Sequence, residues 1–311
     1  MNQSRKITEG ALMVALLIVI LVASLLPILN VITPFVLPVP FIFYVKRHGV
    51  KAGLVMTVAA AVITILLMSL FTLPFIFVAA AGGIFIGYAM RKKNTAYETL
   101  AQGTFGFIIG MLLSFVFIQT LLGVNLVTQF GGIVEESVNM STSMIGNLNP
   151  AFNSEDVQVL VDEQVNLLKQ LLPTFIVIFA FISAFITQWI SYKLFNRIEK
   201  EKFYFPPFRE LQFPASIIWI YLLALILSVI GFGEGSTLAF GAQNLLMIVG
   251  IALSLQGFSF IFYFAHMKKI PKVFPILIVI ATFLFPTFLL YFIRILGIID
   301  IGFRLRGRLK Q

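Results

Sequence analysis

Two histidines, 13 Asp and Glu residues and no cysteine bound the chemistry open to this 311-residue chain. Without cysteine there is no thiolate nucleophile, no disulfide and no iron–sulfur ligation. His48 follows Lys46 and Arg47, and His266 precedes Lys268 and Lys269. Both settings are basic and interfacial, not the acid-rich surroundings that a metal ion or a general base needs. The chain contains no H-E-x-x-H, no G-x-S-x-G and no phosphate-binding loop. Gly231-x-Gly233-x-Gly235 lacks the preceding strand of a dinucleotide fingerprint and reads as a turn between two helices. Asn139-Met-Ser141 has the form of a glycosylation acceptor, a tripeptide of low specificity. The acidic pairs Glu135-Glu136, Glu155-Asp156 and Asp162-Glu163 have the charge to attract a cation, but in a polar segment they read as solvated loop. No catalytic residue, metal site or cofactor is therefore expected, and the chain is not expected to be an enzyme.

The elements that must position any site are set by the membrane. Hydrophobic residues make up 59% of the chain and charged ones 11%. A soluble domain carries about 25% charge, so this composition cannot cover a water-facing surface. The net charge of +9 fits loops facing anionic lipid better than a nucleic-acid surface. Residues 10–45, 52–90, 99–134, 170–192, 211–233, 235–267 and 273–293 hold no Asp, Glu, Lys or Arg. One crossing takes about 20 residues, so the first two stretches must each fold back, the first at Asn30 to Pro34 and the second at Thr72 to Pro74. The spacing predicts helices near 8–29, 34–45, 52–70, 73–90, 99–123, 170–195, 213–232, 240–265 and 273–297. The expected fold is all-α: a polytopic helical membrane protein of about eight or nine crossings, with an extracellular loop at 124–169. That loop is expected to end in a short amphipathic helix over 154–169, with Ser154 as N-cap.

Lys and Arg set the expected orientation. With a cytoplasmic N-terminus, Lys46-Arg47 with Lys51, Arg91-Lys92-Lys93, Lys193 through Arg209, and Lys268-Lys269 with Lys272 all fall inside, and the acidic 124–169 segment falls outside. Nine crossings then leave the tail, with Arg304, Arg306, Arg308 and Lys310, outside and against its charge. A hairpin bent at Pro286 would return it, and both arrangements stand at this level. Arg294 is the one firm intramembrane charge, placed to snorkel from a helix end, and no helix offers a buried carboxylate. Gln119, Gln188, Gln243, Asn244 and Gln256 must pair with a neighbouring helix, a ligand or water. Small residues recur every four positions at Ala11-x-x-x-Ala15, at Ala79, Gly83 and Gly87, and at Gly106-x-x-x-Gly110. Such ladders let helix backbones approach closely, within the chain or against a partner.

Pro34 to Pro40, Tyr44-Val-Lys-Arg-His-Gly49-Val-Lys-Ala-Gly53, Asn244, Gln256-Gly257 and Leu296-Gly297-Ile-Ile-Asp300-x-x-x-Arg304 together resemble the YybS-type family of uncharacterised polytopic membrane proteins of Gram-positive bacteria. The likeness covers nearly the whole chain. Residues 1–197 more distantly resemble the substrate-binding S components of energy-coupling-factor transporters. The shared features are six helices, a short second helix and Ala11-x-x-x-Ala15 on the first. That resemblance implies a six-helix module at 1–197 with the outer loop 124–169, followed by a C-terminal module at 198–311 of three or more helical segments. It also implies that Ala11 and Ala15 pack against a membrane partner and that the outer loop covers a small-molecule ligand.

Two functions follow as expectations. The first is a plasma-membrane, transporter-like subunit that binds a small molecule and docks to a membrane partner. Its site is expected in the outer half, lined by Asn30, Thr33, Phe35, Phe117 and Gln119. An uncharged polar and aromatic lining suits an aromatic or amphipathic solute better than a metal ion. The second is a membrane scaffold or assembly protein with no ligand. In both, the constant partner is the lipid bilayer, and nucleic acid is not one.

Overall fold

The computed structural model describes residues 3–148, 163, 165–230, 232 and 236–308. Among them there is no β-strand. Eight helices of this described part are long and apolar enough to cross a membrane, and two shorter apolar helices accompany them. The protein is a polytopic helical membrane protein. The chain divides into two compact units, Met1–Phe205 and Pro206–Gln311.

The first unit contains α1 (Gln3–Ala23), α2 (Pro27–Val36), α3 (Val39–His48), α4 (Val50–Leu67), α5 (Leu73–Arg91), α6 (Ala96–Leu121), α7 (Leu126–Leu148) and α8 (Leu172–Ile198). Its first turn-back differs from the expectation. The chain turns at 24–26, and Pro27 starts α2, where a missing amide hydrogen forfeits no helical bond. Asn30 and Thr33 therefore lie inside α2, not in a break. Pro34 is helical as well, and the Thr33 hydroxyl donates to the Leu29 carbonyl at 2.8 Å beside it. Leu37 and Pro38 keep right-handed backbone angles and pass the chain into α3. The second crossing is thus full length, Pro27–His48, and not a short segment at 34–45. The second turn-back falls where proline places it, with a 3-10 turn at Leu70–Thr72 ahead of α5.

The 124–169 segment also departs from a plain loop, because it opens with the 23-residue α7. The amphipathic helix expected over 154–169 falls largely outside the described residues; 165–170 are helical.

Helix α5 is the packing centre of this unit. A Cβ at Gly83 would sit 2.7 Å from the Pro38 carbonyl oxygen, and one at Gly87 would sit 2.9 Å from that of Ile42. On α6, a Cβ at Gly110 would lie 2.7 Å from Val78 Cα. Both glycine ladders are used inside the unit, where missing side chains let backbones touch.

The second unit holds α9 (Ser216–Val229), α10 (Thr237–Met267), α11 (Val273–Leu284), α12 (Pro286–Phe303) and the one-turn α13 (Leu305–Arg308). Helices α10 and α12 approach backbone to backbone: a Cβ at Gly257 would fall 2.0 Å from the Ile293 carbonyl oxygen, and one at Gly297 2.1 Å from that of Leu253. Gly250 lies beside Arg294, Leu253 beside Gly297, Gln256 beside Asp300 and Ser259 beside Arg306. The two helices therefore run in the same direction. Phe285 leaves helical geometry (φ −127°, ψ 60°) and Pro286 starts α12, so α11 and α12 form a hairpin. The tail with Arg304 and Arg306 thus ends beside the C-terminal end of α10, on the Lys268–Lys272 side. Of the two arrangements open to the tail, this is the one that agrees with its charge. A single ninth helix over 273–297 is replaced by two.

A side chain at Gly257 has nowhere to go. Gly257→Ala is expected to cost at least about 1–3 kcal/mol by overpacking, read as a lower melting temperature in detergent. Gly241→Ala, on the same helix with nothing within 4 Å, should leave the melting temperature unchanged or raise it.

Candidate functional site

Among the described residues, side chains gather beyond ordinary packing at several places, three of which bear on the expected sites. The first is the end of the Met1–Phe205 unit where α1 begins and α3, α5 and α8 finish. His48 closes α3, and Gly49 (φ 86°) turns the chain into α4 with the Arg91 guanidinium packed over it. The His48 Nε2 meets a Glu9 carboxylate oxygen at 2.8 Å, and Arg5 Nε donates to the other oxygen at 3.1 Å. Lys46 Nζ bridges Glu199, at 2.9 Å, and Glu201, and sits 4.1 Å from the centre of the Phe195 ring. Arg47 donates to Glu199 at 2.6 Å and 2.8 Å, while Arg91 donates to the Arg47 carbonyl at 3.0 Å. Burial pushes the Glu199 carboxyl up, but hydrogen bonds from Lys46 and Arg47 and their charges outweigh it and hold the group below the ordinary range. A histidine oriented by a carboxylate is the pairing a general base would use. Here the other ring nitrogen, Nδ1, is buried and has no hydrogen-bond partner among the described residues. The cluster ties the ends of α1, α3 and α8 together.

The second place lies within the Pro206–Gln311 unit. Asp300 on α12 is fully buried, which corrects the expectation that no helix carries a buried carboxylate. It accepts from Gln256 Nε2 at 2.5 Å and from Arg306 Nε at 2.9 Å. Arg306 also donates to the Arg209 carbonyl at 2.8 Å and to the Ser259 hydroxyl at 3.1 Å. Ser259 in turn donates to the carbonyls of Phe208 and Leu211. Arg304 takes a left-handed conformation (φ 50°) that turns the tail back towards this site. Arg294 lies within α12, not near its end. It packs on Gly250 and reaches the Tyr221 hydroxyl at 3.4 Å, so it is held by the unit and does not snorkel. Of the glutamines, Gln188 joins α8 to the Ala96 carbonyl at 2.9 Å and Gln256 joins α10 to α12, both as interhelical bonds.

The third place is an apolar groove of about 590 Å³ between α1 and α4, floored by Gly10, Ala11, Val14, Ala15 and Met56. Ala11 and Ala15 are exposed along it. The proposed ligand residues are spread over two helices. On α2, Asn30 is exposed, Thr33 is buried, and the Phe35 ring lies 6.4 Å from that of Phe179. On α6, Phe117 meets Phe77 edge-on at 5.3 Å and Gln119 is exposed. Different neighbours thus engage the two rings, and α8 packs on both helices. Charge counting missed Asp300 because a single acid near a basic tail looks like a helix-end residue. The signal available was its six-residue spacing from Arg306.

A family model described as "Predicted membrane protein (DUF2232)" matches residues 13–301. The chain is 31% identical over 311 residues to "Uncharacterized protein YybS" of Bacillus subtilis strain 168, covering 100% of both chains. No solved structure matches the chain.

The Glu199 contacts predict an acid limit. Because its folded carboxyl titrates below the ordinary value of 4.5, the stability it contributes is fully present above that pH and is lost as the pH falls through the folded value. The melting temperature of Glu199→Gln should lie below that of the parent at neutral pH, with the gap closing only below about pH 4.5. A gap that is the same at pH values on both sides of this limit would exclude the carboxylate as its source.

Proposed function

The chain belongs to the DUF2232 family of predicted membrane proteins, and we propose that it is a transporter-like, small-molecule-binding subunit of the plasma membrane that docks to a membrane partner through α1. One contrast carries this reading. The glycine ladders of α5 and α6 are buried against neighbouring backbone, whereas Ala11 and Ala15 repeat the same spacing on a face left open along an apolar groove. Lipid tails gain little from small residues, but a second helix gains close contact. The ligand would be an aromatic or amphipathic solute held by Asn30, Thr33, Phe35, Phe117 and Gln119, with no metal, cofactor or catalytic residue involved.

A cytoplasmic N-terminus is part of the proposal. Helices α3, α5 and α8 carry Lys or Arg in their last turns and α10 carries His266; α1, α4, α6, α9 and α11 carry none, and α12 carries none but is followed by Arg304. In each unit this alternation supports basic ends at the cytoplasmic face.

Replacing Ala11 and Ala15 together with Leu is expected to weaken the docked contact by about 1–3 kcal/mol, seen as loss of a copurifying membrane protein. The melting temperature of the chain itself should hold, because both positions are exposed. Unchanged copurification would remove α1 as the docking element. Native mass spectrometry of the parent in mild detergent separates the two roles: a retained small molecule supports the binding subunit, and a partner without one assigns a scaffold instead. For orientation, a single Cys introduced at Asn139 in this cysteine-free chain should react with an impermeant reagent added outside. Reaction only from the cytoplasmic side would invert the topology.

A further inference from the structure

We propose that the Pro206–Gln311 unit holds an anionic phospholipid in the pocket of about 440 Å³ between the Phe208–Glu210 turn and the α10–α11 junction. Arg209, His266, Lys269 and Lys272 all line this pocket, and no carboxylate does. Some cations elsewhere are matched by acids, Lys46 and Arg47 with Glu199, Lys169 with Glu135, and Arg306 with Asp300, whereas Lys92, Lys93 and Arg294 stand without an ion pair among the described residues and away from this pocket. What sets this pocket apart is the gathering: Arg209, Lys269 and Lys272 line one concave site with no carboxylate among its walls, so their positive field is left for a ligand to meet.

The pocket is held in place from within the fold. Ser259 fastens the turn through the carbonyls of Phe208 and Leu211, at 2.8 and 2.9 Å, and Arg306 holds the Arg209 carbonyl at 2.8 Å. Phe208 packs edge-on against Phe262 of α10, with ring centres 5.8 Å apart. At the far side the Ile270 amide donates to the Ala265 carbonyl at 2.8 Å, and Lys269 adopts a left-handed conformation (φ 56°). Glycine fits that backbone at least cost, yet the position carries a cation that lines the pocket. Helix α11 starts directly after Lys272, and its N-terminal dipole adds to the attraction for a phosphate.

The rest of the lining selects the source of the phosphate. Phe208, Phe262 and Pro275 give apolar walls, and the apolar α11 leads away from the pocket, so the site spans the boundary between headgroups and hydrocarbon. A phosphodiester between basic groups with its glycerol and acyl chains on apolar walls uses both halves. A free phosphate would use only the first. A zwitterionic lipid would bring an ammonium group to a pocket that has no carboxylate to receive it.

The test is native mass spectrometry of the full chain in mild detergent with phosphatidylglycerol or phosphatidylcholine of identical acyl chains. Phosphatidylglycerol adducts should persist at least about tenfold more strongly. Combining R209Q, K269G and K272Q should abolish that preference; K269G removes charge while relaxing the backbone, so the melting temperature should not fall. K269R with K272R, which keeps the charge, should retain the adduct, and K92Q with K93Q, at basic positions of the other unit, should leave it unchanged. Equal retention of the two lipids, or equal loss in the K92Q/K93Q control, would overturn the proposal. Competition by millimolar inorganic phosphate as effective as that by the lipid would overturn the lipid as its occupant.

Discussion

Hydrocarbon offers no hydrogen bonds, so each polar group carried into it must find its partner in the protein. The Pro206–Gln311 unit is organised around one strong instance, the buried pair of Asp300 and Arg306. Neither charge is stable alone in such surroundings; removing one partner of a buried pair typically costs about 3–5 kcal/mol, because the other is left uncompensated. To keep the pair together, Arg304 takes a left-handed backbone and the chain folds back after α12. Arg306 then reaches the Arg209 carbonyl and Ser259, which bring in the turn that opens the unit and the α10 helix. Gln256 joins the network by donating to the same Asp300 oxygen as Arg306 and accepting from the Phe213 amide, and the second Asp300 oxygen has no hydrogen-bond partner among the described residues. One ion pair thus places the unit's first turn, its longest helix and its tail.

This network depends on close helix contact. Gln256 can reach Asp300 because its neighbour Gly257, with Gly297 opposite, lets α10 and α12 meet at backbone distance. The Met1–Phe205 unit uses the same device at Gly83 and Gly87. There the polar fastening is at the helix ends, where Lys46, Arg47 and His48 meet Glu9, Glu199 and Glu201. Both units therefore combine glycine contacts with charge pairing, placed within the span by Asp300 in the Pro206–Gln311 unit and at the helix ends in the Met1–Phe205 unit. The four non-glycine residues with positive φ, among those described, are Lys93, Lys200, Lys269 and Arg304. Each follows a helix end, where a cation complements the helix dipole and faces headgroups, offsetting the backbone cost of not being glycine.

Against this economy of small residues, the open Ala11 and Ala15 face is the exception on which a docking role rests. The cation-lined pocket beside α10 is a feature of a second kind, where Arg209, Lys269 and Lys272 gather with no carboxylate in the lining. Both features face the surroundings of the protein, an apolar groove in one case and a basic pocket in the other.

The sequence by itself determined the class, the approximate number of crossings and the segregation of basic clusters, because hydrocarbon thickness and the cost of burying charge act on composition and spacing alone. It also marked the turn-back at Thr72 to Pro74 and the glycine ladders. Proline spacing misplaced the first turn-back. Pro27, Pro34, Pro38 and Pro40 are equally able to break a helix in isolation, and tertiary packing made Pro27 a helix start while keeping Pro34 inside α2. Only the tertiary structure decided that α11 and α12 form a hairpin, because the bend depends on the parallel approach of α12 to α10 through Gly257 and Gly297. The candidate ligand residues were chosen by depth and polarity, and the fold distributes them over α2 and α6. Asp300 could not be recognised as buried from its position near a basic tail. Whether a charge at a helix end meets water or an arginine depends on where the following residues turn, and the backbone at Arg304 sets that turn.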